Sequence, residues 1–348
     1  MPETPATVST PVVNRRIVVD TDTGIDDALA LLYLAAQPDV EIVAVTSIYG
    51  NCVIDDSLRN IAYVLGLVGI TDVPVARGAA KPLNAEPHIA HYVHGYDGLG
   101  DVVSVDDRPM PTGLVDQTAA ELLVELARAQ PGELELLTLG PLTNIALALQ
   151  VEPELLTLFR SITIMGGSGP FPEVGQSDMF DANIQNDADA AQLVFSAPAT
   201  RRVMVGVNIT SRVVTDEQDV VALHKSGTPT GVFAAAILET YLDFYRLAWG
   251  RRISPVHDGL AAALMVHPEW ITASVTGPAN ITHDGFTTRA RIMQTAEGRA
   301  VPWAIEPTPD TIAVTGVDTA AFVTAFIHSL IHGSPSSPSP ASQGGTTA

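Results

Sequence analysis

Apolar residues in this chain come in short, nearly unbroken runs, and between the runs they recur every three or four positions. The runs are Arg16–Asp20, Val40–Ser47, Val73–Arg77, Glu133–Leu139, Ile162–Met165 and Arg202–Val207. Runs of that length without alternation are expected of strands covered on both faces. The spacing predicts helices over Asp26–Ala36, Asp55–Val68, Asp116–Gln130, Pro141–Gln150 and Asp187–Ser196. Strands alternating with helices imply an α/β fold, with a mostly parallel central sheet flanked by helices in one large domain. Further helices are expected near Thr230–Trp249, Gly259–Val266 and Ala320–Ile331, and a β-hairpin over Ile271–Val301, where the pattern alternates around turn residues. Residues 1–14 read as a disordered arm, 15–333 as the folded domain, and 334–348 (SPSSPSPASQGGTTA) as a low-complexity tail too polar to fold.

Composition narrows the chemistry. Acidic residues outnumber basic ones 39 to 18, for a net charge of −21, and only Lys81 and Lys225 are lysines. Such a chain repels phosphate backbones and anionic membranes, so no nucleic-acid or membrane partner is expected. The single cysteine, Cys52, excludes an internal disulfide and a thiolate metal cage. The first residues lack the apolar core of a signal peptide and no run is long enough to span a bilayer, so a soluble, cytoplasmic protein is expected.

In parallel sheets, ligands bind beyond the carboxyl ends of the strands, so the residues after each strand matter most. The first strand runs into Asp20, Asp22, Asp26 and Asp27, four carboxylates within eight residues around Gly24. One acid at a helix start is an ordinary cap. Four at the mouth of a sheet repel one another unless a cation joins them, and oxygen-only donors favour Ca²⁺ or Mg²⁺ over zinc. The second strand ends in Gly50-Asn51, whose amide suits sugar hydroxyls, although an Asn after Gly is also a common turn. Gly140-Pro141-Leu142-Thr143-Asn144 follows the fourth strand, Met165-Gly166-Gly167 the fifth, then Asp181-Ala182-Asn183, and much later His257-Asp258.

Taken together and in this order, these motifs resemble the inosine–uridine preferring nucleoside hydrolase family from about Ile17 to His332. The family signature DxDPGxDDxxAL appears as Asp20 to Leu31, its GN as Gly50-Asn51, its HG loop as His94-Gly95, its GPLTN as Gly140 to Asn144, its MGG as Met165 to Gly167, and its HD as His257-Asp258. The resemblance implies hydrolysis of the N-glycosidic bond of ribonucleosides, with calcium held by Asp22, Asp27, Asp258 and the Leu139 carbonyl. It implies that Asp22 takes a proton from the attacking water and that His257 helps protonate the departing base. Asp26, Asn51, Met165, Asp181 and Asn183 would contact the sugar, and His94, Tyr241 and Tyr245 would line the base pocket. A homo-oligomer, dimer or tetramer, is implied as well.

Three positions depart from the pattern. Thr23 stands where the family usually has proline, which leaves the loop less rigid. Asp181 and Ala182 stand where it commonly has glutamate and an aromatic residue, beside the sugar. Two other readings stay open at this point. The Asp20-to-Thr23 run also resembles the DxDxT loop of haloacid-dehalogenase-type, Mg²⁺-dependent phosphatases, whose later lysine and GDxxxD are met only by Lys81 and Gly100-Asp101, with Asp106 one residue too far along. The other is a calcium-dependent nucleoside- or sugar-binding protein in which the changes at Asp181 and Ala182 have removed catalysis.

Overall fold

The computed structural model describes residues 15–169, 181–282, 285, 287–288, 291–294, 300–303 and 308–333; the expected arm and tail lie outside them. In chain order the strands are β1 (Arg15–Thr21), β2 (Val40–Ser47), β3 (Val75–Arg77), β4 (Leu114–Thr118), β5 (Leu134–Thr138), β6 (Ser161–Met165), β7 (Arg202–Val205), β8 (Val214–Asp216), β9 (Ile253–Pro255), β10 (Ile271–Pro278), β11 (Asn280–Ile281), β12 (Thr287–Thr288), β13 (Arg291–Gln294), β14 (Ala300–Trp303) and β15 (Asp310–Val317). Nine of them form one sheet in the order β10-β15-β7-β6-β5-β1-β2-β3-β4. Every pairing in it is parallel except that of β10 with β15.

The expected doubly covered strands are present. Ile17 and Val19 of β1 join one apolar core, with the helices Ile25–Ala35, Pro229–Trp249, His257–Val266 and Thr319–His332. Val18, between them, joins the other core, with Ala119–Ala129, Thr143–Val151 and Ala188–Ser196. Alternate side chains of a strand point to opposite faces, so each face needs its own helical layer. After β1 the chain builds β2, β3 and β4 outward on one side, then returns to lay β5 against the other edge of β1. That reversal opens a crevice beyond the carboxyl ends of β1 and β5, where the acidic cluster lies.

Two expectations give way. The helix expected from Asp116 starts at Ala119, because Thr118 caps it in a reciprocal capping box with Glu121, and the residues before it form the exposed edge strand β4. The hairpin expected over Ile271–Val301 is replaced by the long strand β10, which pairs with β15, with the short antiparallel pairs β11/β12 and β13/β14 between. Among the described residues, no helix is long and apolar enough to cross a membrane.

Candidate active site

The helix Ile25–Ala35 is buried along its whole length, and the helix His257–Val266 packs beside it. Asp26 and Asp27 fall in the first turn of one, and Asp258 in the first turn of the other. Two helix N-termini therefore meet at the mouth of the sheet, each favouring negative charge. Asp26, Asp27 and Asp258 each place a carboxylate oxygen so that the three lie within 4.8 Å of one another. Asp22 adjoins this triplet through Asn51, whose Nδ2 donates to Asp22 Oδ1 at 3.2 Å and to Asp27 Oδ2 at 2.9 Å. The Asn51 backbone N–H donates to Asp22 Oδ2 at 2.7 Å. Asp27 also serves as an ordinary cap, accepting from the Gly24 N–H at 2.8 Å.

All four acids are buried, and among the described residues no lysine or arginine pairs with any of them. Burial, then the charge of Asp27, holds the Asp22 carboxyl well above the usual carboxylate range. Burial, then Asp26, Asp27 and Asp22, does the same to Asp258, and burial with Asp27 pushes Asp26 up to about 7. Acids this close and this dry could together hold a hard cation with oxygen ligands. The packing leaves room for nothing larger than hydrogen at Gly50, whose φ is +153° and where a Cβ would stand 2.0 Å from Asp22 Oδ2.

Asp20 lies behind the cluster and belongs to the scaffold. Its Oδ1 accepts from Thr46 Oγ1 at 2.5 Å and from Asn144 Nδ2 at 2.7 Å. Thr23 is fully buried in the loop, and its carbonyl accepts from Asn60 Nδ2 at 2.9 Å. Its backbone, at φ 25°, is one that proline cannot adopt.

A cavity of about 370 Å³ opens over the cluster. Its lining brings together Asp26, Asn51, His94, Leu139, Met165, Asp181, Asn183, Tyr241, Tyr245, His257 and Asp258, while Asp22 and Asp27 sit just behind it. Asn183 Nδ2 donates to the Leu139 carbonyl at 2.6 Å and to the Met165 carbonyl at 3.3 Å, which ties the ends of β5 and β6 to the short helix Ala182–Asn186. Asp181 caps that helix, accepting from the Ile184 N–H at 2.9 Å, and burial pushes its carboxyl up to about 6. Ala182 also lines the cavity.

The remaining lining is aromatic. Tyr241 donates to Asp26 Oδ1 at 3.1 Å and lies 5.3 Å, ring to ring, from both His94 and Tyr245. His94 Nδ1 accepts from the Ile25 N–H at 3.1 Å, and burial, then His257, lowers its pKa to about 3. His257 places Nδ1 2.6 Å from Thr210 Oγ1 and Nε2 3.0 Å from the Tyr245 hydroxyl; burial lowers its pKa to about 4. Sequence reasoning missed Tyr92, Phe244, Trp249 and Ser211 in the lining. Trp249 had a signal, because 241, 245 and 249 are successive helical i,i+4 positions on one stripe. Thr210 and Ser211 had none.

A doubly wound sheet with an acid-walled, aromatic-lined crevice at its switch point is the place where such a fold binds a small molecule, and Asp26, Asp27 and Asp258 there could hold a cation. The phosphatase reading does not survive, because Lys81 is exposed and not part of the lining. The family model for inosine-uridine preferring nucleoside hydrolase matches residues 17–324, and the chain belongs to that family. It is 37% identical over 263 residues to probable uridine nucleosidase 2 of Oryza sativa subsp. japonica, covering 75% of this chain and 77% of that one. It is 36% identical over 263 residues to the pyrimidine-specific ribonucleoside hydrolase RihA of Photobacterium profundum, covering 74% and 81%. Among solved structures it superposes on a plant nucleoside hydrolase, PpNRh1, with a TM-score of 0.80 at 28% identity, covering 91% of this chain and 99% of the other. On the purine-preferring ribonucleoside hydrolase from Gardnerella vaginalis the TM-score is 0.79 at 25% identity, covering 91% and 98%. The protein is accordingly an enzyme that hydrolyses N-glycosidic bonds.

Proposed function

We propose that this protein hydrolyses ribonucleosides, uridine foremost and inosine also, to free base and ribose at a calcium-bearing site. The single observation that carries the proposal is the buried cluster of Asp22, Asp26, Asp27 and Asp258, which no lysine or arginine among the described residues pairs with, beneath a cavity of about 370 Å³ lined with aromatic rings. Uridine comes first because relatives 37% and 36% identical to the chain are named a probable uridine nucleosidase and a pyrimidine-specific ribonucleoside hydrolase.

The residues present fit the ion. Asp22, Asp27, Asp258 and the Leu139 carbonyl would hold it; Asp27 and Asp258 meet Asp26 with carboxylate oxygens within 4.8 Å of one another, and Asn51 bridges Asp22 to Asp27. Calcium, when bound, orients the attacking water and lowers its pKa. Asp22 takes the proton that water gives up. Asp26, Asn51 and Asn183 grip the ribose hydroxyls, and Met165 and Asp181 border the sugar. The bond breaks through a transition state with positive charge on the sugar ring, which the surrounding carboxylates stabilise. The rings of Tyr241, Tyr245 and His94 hold the base, and His257 assists its departure. In this reading water attacks the sugar directly, without a covalent intermediate. A role in nucleoside catabolism or salvage in the cytoplasm, and assembly as a dimer or tetramer, belong to the same proposal; light scattering in solution tests the assembly.

The test is a panel of uridine, inosine, 2′-deoxyuridine and p-nitrophenyl phosphate, each incubated with protein and calcium. Release of uracil and hypoxanthine, with 2′-deoxyuridine poor and no phosphate released, is the expected result. Absence of base from every ribonucleoside would leave a nucleoside-binding protein instead.

A further inference from the structure

The turn that follows His94 is built as one piece and is seated on the body of the protein by a buried pair, Asn60 and Arg108. Within the turn the Gly100 N–H donates to the His94 carbonyl at 2.7 Å, and Asp97 Oδ1 accepts from the Leu99 and Asp101 N–H groups at 2.7 and 2.9 Å. Asp101 Oδ1 accepts in return from the Asp97 N–H at 3.1 Å, and Leu99 is buried in the core. Among the described residues, the hydrogen bonds that join residues 95–101 to elements outside 91–101 come from Asn60 and Arg108. Asn60 lies on the helix Ile54–Leu67 and is fully buried. Arg108 Nη1 donates to Asn60 Oδ1 at 2.6 Å, which fixes the amide with its nitrogen turned the other way. Asn60 Nδ2 then donates to the Asp97 carbonyl at 2.8 Å and to the Thr23 carbonyl at 2.9 Å, so both of its protons are used. The second of these carbonyls belongs to the loop that carries Asp22, Asp26 and Asp27. That loop has ties of its own: the Thr23 N–H donates to Thr21 Oγ1 at 3.1 Å and the Gly24 N–H to Asp27 Oδ2 at 2.8 Å.

We propose that Asn60 is a positioning residue that sets where His94 stands in the base pocket, by holding the His94 turn against the acid-bearing loop. This rests on the hydrolysis proposed above. Asn60 lies behind the wall of the cavity that His94 lines, and it acts through the Asp97 carbonyl and the turn built on it. Without the Nδ2 donor two buried carbonyls lose a partner, which is costly in a site closed to water. The Thr23 side keeps its other ties, so the His94 turn is the part that shifts. The wall that meets the base then loosens while the grip on the sugar stays. Gly98 shows how closely the turn sits on Asn60: its φ is +84°, and a Cβ there would stand 2.9 Å from both Asn60 Nδ2 and Cys52 Sγ.

Asn60→Ala removes the donor; Asn60→Asp, of the same size, still accepts from Arg108 but has no proton to give. For both, KM for uridine is expected to rise roughly tenfold with kcat within about threefold, while inhibition by ribose, which has no base, weakens by less than about twofold. Hydrogen exchange followed by mass spectrometry is expected to quicken roughly tenfold in the peptide covering residues 94–101 and to stay unchanged in the helix Ile25–Ala35. Gly98→Ala presses the turn away from an intact Asn60 and should give the same split, which keeps the test open if neither Asn60 variant folds. A loss in kcat at unchanged KM, or equal weakening of uridine and ribose, overturns the role of Asn60, and so does unchanged exchange at 94–101. A wild type that releases no base at all would instead sink the hydrolysis proposal, and the exchange rates would still decide whether Asn60 seats the turn.

Discussion

In the proposed reaction Asp22 does two things at once: it contributes charge to the cation site and takes a proton from water. Asp22→Asn removes both, and kcat for uridine should fall by at least ~10³-fold. A smaller effect, within tenfold, would move the base elsewhere. Asp181 is ambiguous in a different way. It is a helix cap accepting from backbone N–H groups, and it also lines the cavity. If it also contacts sugar, Asp181→Ala should raise KM for uridine clearly beyond what any loss of thermal stability explains. Lowered Tm with unchanged KM would leave it a cap alone. His94 gives a pH prediction. Burial takes its pKa from the usual 6.5 to about 3 in the folded chain, so the folded state holds it neutral while the unfolded chain binds a proton below 6.5. Its contribution to stability is therefore complete above pH 6.5 and is lost as pH falls toward 3. His94→Gln, which cannot charge, should show a Tm gap to the wild type that narrows between pH 7.5 and pH 5 in calcium-free buffer. A gap that stays constant would contradict the neutral, buried histidine.

At the scale of elements, the site depends on two helix starts and on glycines that let strand ends approach. Gly50→Ala would drive a methyl into Asp22 Oδ2, 2.0 Å from the ideal Cβ position. A displacement of an ångström at a reacting group can cost ~10²-fold in rate, so kcat should drop about that much and calcium should bind more weakly by calorimetry. Wild-type turnover in Gly50→Ala would show that the β2 end does not set Asp22. What the sequence made legible follows the same division. Asp20 through Asp27, Gly50-Asn51 and His257-Asp258 stand out because each sits where a buried run meets a helix start, and that junction has a local pattern. The pairing of β10 with β15 was not legible, because it joins segments more than thirty residues apart and no local period records a partner. β4 was hidden for another reason: an edge strand with no fully buried position has too little apolar signal to separate it from the helix it leads into. Thr210 was invisible because a single hydroxyl acquires its meaning only from the ring that the fold places beside it.

For the whole molecule, the proposed calcium site in the four buried acids would couple folding to the ion. An ion that binds only the folded chain stabilises it by ~2.7 kcal/mol at a hundredfold excess over Kd, which amounts to a rise of several degrees at most in a chain of this size. Calcium should therefore raise the Tm of the wild type measurably and that of Asp27→Asn or Asp258→Asn much less. Equal shifts in all three would put the ion elsewhere on this acidic surface. The central claim is that these acids serve a calcium-dependent cleavage of ribonucleosides. Uracil release from uridine, followed before chelation, after removal of calcium, and after its return, tests it most directly. The account predicts turnover that vanishes on chelation and comes back with calcium, while Asp22→Asn stays nearly silent throughout. Undiminished uracil release from the metal-free wild type would contradict it.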